Sequence, residues 1–123
     1  MLVKNIRWVG VATDRYAEMI DFLERVMGLD VRFRDGTTTE LSTADGDAIQ
    51  VMAPGDPYHE LFSRHASGPV PLFEVDDVSA ARSELEADGV EIVGDLGRDS
   101  EWEWLHFRAP DGNLYELASR LPR

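Results

Sequence analysis

The feature that most constrains the fold is an internal duplication, because the second half of the chain repeats the pattern of the first. Each half has a helical segment that stops at a glycine and continues into a short strand, GLDV at 28–31 and GVEI at 89–92. Each half also ends with an Asp-Gly turn and an alternating strand, TADGDAIQVMA at 43–53 and APDGNLYELAS at 109–119. The sequence therefore predicts two copies of one module.

The predicted module consists of one strand, one helix and three further strands. In the first half we place strands at 5–12, 30–35, 38–43 and 47–53, and a helix at 14–27. In the second half we place strands at 70–76, 90–94, 101–109 and 113–119, and a helix at 78–88. Residues 54–69 are the linker. This alternation predicts a single α+β domain over residues 1–123, in which the helices cover one face of a sheet.

The same signals mark the ends of both predicted helices. Asp14 and Asp77 precede the apolar stripes and are candidate N-caps, because a carboxylate can accept hydrogen bonds from the first free N–H groups of a helix. Gly28 and Gly89 follow the stripes and are candidate stops, because glycine readily adopts the left-handed backbone that ends a helix.

The composition excludes several classes of partner. A formal net charge of −12 disfavours nucleic acid and anionic lipid, because both are normally bound through basic patches. The chain has no cysteine, which rules out a disulfide framework, a thiolate metal site and a cysteine nucleophile, and which suits a reducing compartment. The N-terminal stretch lacks the long apolar segment of a signal peptide or membrane span. We therefore expect a cytoplasmic protein that binds neither nucleic acid nor membrane.

A tight turn near the C-terminus predicts the register of the last two strands. Ala109-Pro110-Asp111-Gly112 suits a type I turn followed by a left-handed glycine, which closes a three-residue hairpin loop. Ala109 then pairs with Asn113, and pairs can be counted outward from there. The count places His106 opposite Glu116.

The two faces of this hairpin differ in chemistry. One face is apolar and is predicted to pack against the helices: Leu105, Phe107, Tyr115 and Leu117. The other face combines large aromatic and titratable side chains: Trp102, Trp104, His106, Arg108, Leu114, Glu116 and Ala118. Such a mixture is typical of a ligand cavity. The alternative is an ordinary solvent-facing sheet with a surface His–Glu pair.

These features resemble the vicinal oxygen chelate superfamily, which contains glyoxalases, bleomycin resistance proteins and extradiol dioxygenases. The resemblance rests on the duplicated strand-helix-three-strand module, on VDD before the second helix, and on APDGNLYEL near the C-terminus. It covers nearly the whole chain. It implies two βαβββ modules (module one about 1–53, linker 54–69, module two about 70–123) that form an open eight-stranded curved sheet around a cleft. It also implies a homodimer.

The metal site of the family is not reproduced in this sequence. Matching the first and last strand of each module places Arg7, Gln50, Val70 and Glu116 at the ligand positions. Of these only Glu116 suits a divalent ion, since arginine offers no lone pair and valine has no donor atom. We therefore expect no metal and no cofactor, and an ion pair between Arg7 and Glu116 in the metal's place. The alternative is an Arg7 that points outward.

The linker contributes two histidines and a short apolar group. His59 and His65 are six residues apart, which does not suit a metal pair on one helix face, so we expect solvated loop histidines. Tyr58, Leu61 and Phe62 share this linker and favour a short helix that either closes the cavity or covers a sheet edge.

Two classes of function remain. The first is a metal-free protein that binds a small aromatic or amphipathic molecule, with a ligand-binding set consisting of Arg7, Gln50, Trp102, Trp104, His106 and Glu116. The second is a metal-independent lyase or isomerase acting on a small carbonyl compound, in which Glu116 and His106 are the catalytic base and acid. A metal-dependent glyoxalase or dioxygenase would need ligands that the strands do not supply.

Overall fold

A computed structural model describes residues 1–122, and that part of the chain contains eight strands and three α-helices. The strands are β1 (Val3–Ala12), β2 (Asp30–Arg34), β3 (Thr38–Ser42), β4 (Ala48–Met52), β5 (Val70–Val75), β6 (Ile92–Arg98), β7 (Trp102–Arg108) and β8 (Leu114–Arg120). The helices are α1 (Tyr16–Asp21), α2 (Pro57–His65) and α3 (Val78–Ala87). The predicted α+β fold of two βαβββ modules is confirmed, and the linker between the modules carries α2.

The chain packs as two compact units, and the first unit spans Trp8–Pro69. Its strands lie in the order β2-β3-β4-β1, with β1 parallel to β4 and the other neighbours antiparallel. The core of this unit is one apolar cluster between the first helical segment and the sheet, formed by Ile20, Leu23, Leu41 and Val51. The apolar stripe of the predicted helix therefore reaches the core as the sequence indicates.

The first helical segment differs from the prediction at its start and in its geometry. The structure places Arg15 at the N-cap of α1 without a side-chain cap, so the predicted capping role of Asp14 is wrong. Asp14 lies 3.0 Å from the ring nitrogen of His59 instead. The segment continues past α1 as a π-helical turn over Phe22–Val26. Gly28 follows with a φ of 77°, as expected for a residue that ends a helix.

The second unit consists of Met1–Arg7 together with the chain from Val70 onward. Here the first residues of β1 lie beside β5, and the order continues through β8 and β7 to β6 at the edge. β5 is parallel to β8, and the β8-β7-β6 neighbours are antiparallel. The core is a cluster between α3 and the sheet, formed by Val75, Val78, Ala81, Leu105 and Leu117.

α3 is fixed at its start by two side chains from different parts of the unit. The Asp77 carboxylate accepts a hydrogen bond from the Ala80 N–H at 3.1 Å, which confirms Asp77 as the N-cap. The buried hydroxyl of Ser119, on β8, accepts a hydrogen bond from the Val78 N–H at 3.0 Å. The second bond ties the first turn of the helix to the last strand of the sheet.

The turn between β7 and β8 has the predicted form. The Ala109 N–H donates to the Asn113 carbonyl at 3.0 Å, and Gly112 has a φ of 85°, a backbone that favours glycine. Asp111 stabilises the turn from inside, because its carboxylate accepts the Asn113 N–H at 3.0 Å and the Tyr115 hydroxyl at 2.7 Å. The predicted hairpin register is confirmed over all seven residues of β8.

Within residues 1–122, no helix is long and apolar enough to cross a membrane. The assignment of residues 1–123 to a single domain stays a prediction, and residue 123 lies outside the described residues.

The hydrogen bond from Tyr115 lowers the pKa of Asp111, with a smaller contribution from the Asn113 N–H. A carboxyl whose pKa is lowered on folding stabilises the fold above its unfolded pKa, and this contribution is lost as the pH falls. In Tyr115→Phe we expect the pKa of Asp111 to rise toward the ordinary value for aspartate, because the largest cause of its lowering is removed. A carboxyl-carbon NMR titration measures this. Asp21, whose pKa is lowered by Arg25, is the internal control and should not change. An unchanged Asp111 would contradict the assignment.

Candidate functional site

The candidate site lies on one side of the β7–β8 hairpin. Three cross-strand pairs define it: Trp102 with Arg120, Trp104 with Ala118, and His106 with Glu116. Because directly opposed residues of a pleated sheet share a face, these six side chains leave the hairpin on the same side. We call these six residues the His106 face.

The opposite side of the hairpin packs against α3, as predicted. Leu105 and Leu117 belong to the buried cluster that includes Val78 and Ala81 of α3, and Phe107 packs against the same cluster. The ring of Tyr115 stacks with that of Phe107 at a centroid distance of 5.9 Å. The assignment of the two faces from the turn is therefore confirmed.

A buried His–Glu pair stands at the centre of the His106 face. Nε2 of His106 lies 2.7 Å from Oε1 of Glu116, and the two side chains are only 1% and 13% exposed. When Nε2 carries the proton it donates to the carboxylate, which offsets the cost of enclosing that charge. This bond engages Oε1, so Oε2 retains lone pairs for another donor.

The surroundings of the pair are apolar and enclosed. Leu114 and Ala118, on the same side of β8, are 0% and 1% exposed. These values exclude the alternative of an ordinary solvent-facing sheet with a surface His–Glu pair. The pair therefore occupies an environment of low polarity, where hydrogen bonds to charged groups are stronger than in water.

Trp104 is held in place by a glycine on the neighbouring strand. Gly97 of β6 pairs with Trp104, and a Cβ atom added to Gly97 would lie 2.0 Å from the indole nitrogen. The indole therefore rests directly on the Gly97 backbone. At any other residue the Cβ atom would occupy the space that the indole fills. β6 has a bulge between Val93 and Gly97, which brings the glycine opposite the tryptophan.

Trp102 is enclosed by arginines. Its side chain is buried, at 9% exposed, and the guanidinium carbons of Arg7 and Arg120 lie 5.2 Å and 4.4 Å from its ring centroid. Both distances are in the range of cation–π contacts. The arginine contacts occupy part of the ring surface that the sequence-based hypothesis assigned to a stacked ligand, so Trp104 is the better candidate for stacking.

Arg7 contacts a carboxylate other than the predicted one, so the ion pair between Arg7 and Glu116 stays a prediction. Nη1 of Arg7 lies 3.9 Å from Oε1 of Glu74, while Glu116 bonds His106. Glu74 is 7% exposed and also accepts a hydrogen bond from the side chain of Asn5 at 3.1 Å. Sequence reasoning missed Glu74, since no local pattern marks its partners.

Arg120 was also missed, although a signal for it existed in the hairpin count. Four residues further along each strand from the His106–Glu116 pair, and on the same face, Arg120 lies opposite Trp102. The count stopped at Ala118. Arg120 would have been assigned to the same face by the rule that assigned the others.

Gln50 lies in the first unit, on β4, opposite Gly10 of β1 and Glu40 of β3. The strand pairing in each unit gives an internal check on which positions of the two modules correspond. In the first module Gly10 pairs with Gln50, and in the second module Leu72 pairs with Glu116, so Gly10 corresponds to Leu72. Counting back two residues from each, Trp8 corresponds to Val70. The duplication therefore matches Trp8, not Arg7, to Val70, which corrects the assignment made from the sequence.

The corrected positions do not fit a metal ion. Trp8 offers an N–H donor and no lone pair, and Val70 offers no polar atom, so only Gln50 and Glu116 supply oxygen. Divalent ions in proteins require several converging lone-pair donors. Elsewhere in the described chain, residues 1–122, no group of three or more His, Cys, Asp or Glu side chains could hold such an ion.

The linker helix belongs to the first unit. Asp56 caps α2 by accepting the Tyr58 N–H at 2.9 Å, and Phe62 packs so closely on Gly10 that an added Cβ there would lie 2.8 Å from its ring.

His59 lies on this helix with a side chain only 14% exposed, so the prediction of a solvated loop histidine is wrong for His59. A cavity of about 250 Å³ lies beside the helix, lined by Val11, Ala12, Phe62, Ser63, Ala66, Gly68 and Pro69.

Comparison with known families agrees with the fold. The model of the Glyoxalase/Bleomycin resistance protein/Dioxygenase superfamily matches residues 5–117. Because this match covers most of the chain, the protein belongs to that superfamily, as the resemblance predicted. No curated protein sequence matches the chain significantly.

Solved structures share the architecture at low sequence identity. Methylmalonyl-CoA epimerase from Mycobacterium tuberculosis has a TM-score of 0.75 at 22% identity, over 98% of this chain and 91% of that chain. A superfamily member from Vibrio splendidus 12B01 has a TM-score of 0.69 at 16% identity, over 93% and 97%. Methylmalonyl-CoA epimerase from Streptomyces coelicolor, solved with 2-nitronate-propionyl-CoA, has a TM-score of 0.73 at 20% identity, over 98% and 100%. At these identities the likeness shows the fold alone.

The contact between Gly97 and Trp104 can be tested by a single methyl group. In Gly97→Ala the added carbon would overlap the indole, so we expect Trp104 to leave its position and its fluorescence to shift, with a loss of stability of about 1–3 kcal/mol. Gly36→Ala is the matched control, because an added Cβ at Gly36 meets nothing within 4 Å. Equal behaviour of the two variants in fluorescence and urea unfolding would show that Trp104 does not rest on Gly97.

Proposed function

We propose that this protein binds a small aromatic or amphipathic molecule on the His106 face without a metal ion. The buried hydrogen bond between His106 and Glu116 carries the proposal. A carboxylate that is 13% exposed, bonded to a histidine that is 1% exposed, is costly to enclose and contributes less to stability than apolar residues would. Such a pair is retained more readily for recognition or chemistry than for stability.

The free lone pairs of Glu116 define what the ligand must supply. Oε2 can accept a hydrogen bond, so the ligand needs a hydroxyl, amine or amide N–H at that point. Trp104, held on Gly97, offers an aromatic surface on the neighbouring strand β7, two residues from His106. Leu114 and Ala118, both buried on the same side of β8, make the surroundings of this carboxylate apolar. A ring that bears a hydrogen-bond donor satisfies these requirements together.

The alternative proposal is a metal-independent isomerase or lyase acting on a small carbonyl compound. The Glu116 carboxylate would remove a proton from the carbon next to the carbonyl group as the general base, and protonated His106 would return a proton to the resulting enolate as the general acid. His106 would hold the carboxylate in position through its 2.7 Å bond. The structural likeness to methylmalonyl-CoA epimerases favours this alternative. We rank it second because it requires a group that stabilises the enolate oxygen next to Glu116, and the arginine of the His106 face, Arg120, lies opposite Trp102, four residues along β7 from His106.

The remaining parts of the proposal follow the family resemblance. We propose that Gln50 contributes to the same ligand site and that the protein acts as a cytoplasmic homodimer with no nucleic-acid or membrane partner. The net charge of −12 and the absence of cysteine support the choice of compartment and partners.

The metal-free proposal is tested by elemental analysis. Because Trp8 and Val70 offer no lone pairs at the matched positions, protein purified without chelators should contain far less than one equivalent of zinc, nickel, manganese or iron. Inductively coupled plasma mass spectrometry measures this. One equivalent that is lost in Glu116→Ala and kept in Glu101→Ala, an exposed glutamate of the same unit, would overturn the proposal.

The binding proposal is tested with a pair of ligands that differ by one donor. 4-Hydroxybenzaldehyde has a ring and a hydroxyl donor, and 4-methoxybenzaldehyde has the ring without the donor. Because a hydrogen bond to a charged group contributes about 1.5–3 kcal/mol, we expect the hydroxyl compound to bind about tenfold more tightly, by isothermal titration calorimetry.

Single substitutions test which side chains cause the binding of these two compounds and the difference in their affinities. Trp104→Ala should weaken both ligands about tenfold or more, through lost stacking and burial. Glu116→Gln should keep affinity within about tenfold, because the amide oxygen still accepts a hydrogen bond. Glu101→Gln is the matched control. If both compounds bind equally and Trp104→Ala has no effect, the His106 face is not the ligand site. Turnover of a carbonyl substrate that disappears in Glu116→Gln while binding persists would favour the isomerase or lyase.

A further inference from the structure

We propose that Arg7 and Arg120, held on the ring of Trp102, form an oxyanion site that receives a carboxylate or phosphate group of the ligand. This inference rests on the proposed binding function and specifies its ligand class. It assigns one end of the ligand to the two arginines and the other end to Glu116.

The first observation is the close approach of two cations to one ring. The guanidinium carbons lie 5.2 Å and 4.4 Å from the same centroid, so their separation cannot exceed the sum of these distances. Like charges within this distance repel each other, while the ring attracts each of them. An anion between or beside them would remove this repulsion.

The second observation is the local charge. Glu74, which is shared with Asn5, is the carboxylate that faces Arg7, at 3.9 Å. Arg120 forms no ion pair with any carboxylate of residues 1–122.

Lys4 adds a third cation to this neighbourhood. Its ammonium lies 2.7 Å from Asp76, which raises the pKa of Lys4, and Arg120 is close enough to oppose that rise. The group therefore has three cations against two carboxylates, in a chain whose formal net charge is −12. A local excess of positive charge in such an acidic chain attracts small anions rather than the acidic surfaces of other molecules.

Guanidinium chemistry identifies the class of anion. The planar fork of arginine matches the oxygen pairs of carboxylate and phosphate, which accept two parallel hydrogen bonds. Contact with the Trp102 ring places both guanidinium groups at this end of the His106 face.

The strand sets the length of the ligand. Trp102 and His106 are four residues apart on β7, which corresponds to about 13 Å in an extended strand. Trp104 lies midway on the same face. The ligand class that fits is an amphipathic molecule with an oxyanion at one end, an aromatic or flat apolar middle over Trp104, and a hydroxyl or amine at the other end.

The anion site is tested by following the tryptophan indole N–H signals in ¹⁵N–¹H NMR spectra. The signals are assigned with single Trp→Phe variants. Sodium benzoate, phenyl phosphate and inorganic phosphate are titrated separately, each against sodium chloride at equal ionic strength. We expect a saturable shift of the Trp102 signal with at least one oxyanion and none with chloride. The benzoate and phosphate arms distinguish a carboxylate site from a phosphate site.

A pair of Arg120 variants, one without the charge and one that keeps it, tests whether the arginines cause the shift of the Trp102 signal. Arg120→Gln should weaken the oxyanion about tenfold or more, because it removes one fork and one charge. Arg120→Lys keeps the charge, preserves the fold if the glutamine variant does not, and should still weaken binding because it loses the fork. Arg82→Gln, on α3 of the same unit and paired with Glu86, should match the unmodified protein. No saturable shift, or equal affinity in Arg120→Gln and Arg120→Lys and the unmodified protein, would overturn the anion site.

The neutral ligand pair separates failure of this inference from failure of the proposed function. If 4-hydroxybenzaldehyde binds through Trp104 while no oxyanion shifts Trp102, the anion site is wrong and the proposed function stands. If neither class of compound binds, both are wrong.

Discussion

The three-residue turn between β7 and β8 is the constraint on which the second unit depends. A slip of one residue in that turn would exchange the two faces of the hairpin, placing His106 against α3 and Phe107 beside Glu116. Gly112 allows the left-handed backbone that the turn requires, and Asp111 closes it with two hydrogen bonds. The apolar cluster under α3 and the buried pair on the opposite face therefore share one origin.

Features set by local rules were predictable from the sequence, and those set by distant packing were not. The duplicated modules, the hairpin register and the Asp77 cap depend on neighbouring residues, and all three agree with the structure. The contact of Arg7 with Glu74 was not predicted, because it depends on how β1 lies beside β5. The Asp14 cap failed for a similar reason, since that carboxylate pairs with His59 on the linker helix instead.

The duplication does more than predict the fold, because it gives each position in one module a counterpart in the other. Comparing the registers matched Trp8 with Val70 and Gln50 with Glu116, without reference to any other protein. Two matched positions are unable to bind a metal, and the remaining carboxylate bonds a histidine of the neighbouring strand. In this chain the Glu116 carboxylate is therefore held by His106, a residue of the same hairpin.

The contact of Trp104 with Gly97 has a consequence for the variation that the family can tolerate. The two residues occupy one shared volume, since the indole lies where any side chain at 97 would begin. A substitution at either position changes the space available to the other, so the two should vary together among relatives. A relative with a larger residue at 97 is expected to have a smaller one at 104, and with it a differently shaped binding surface.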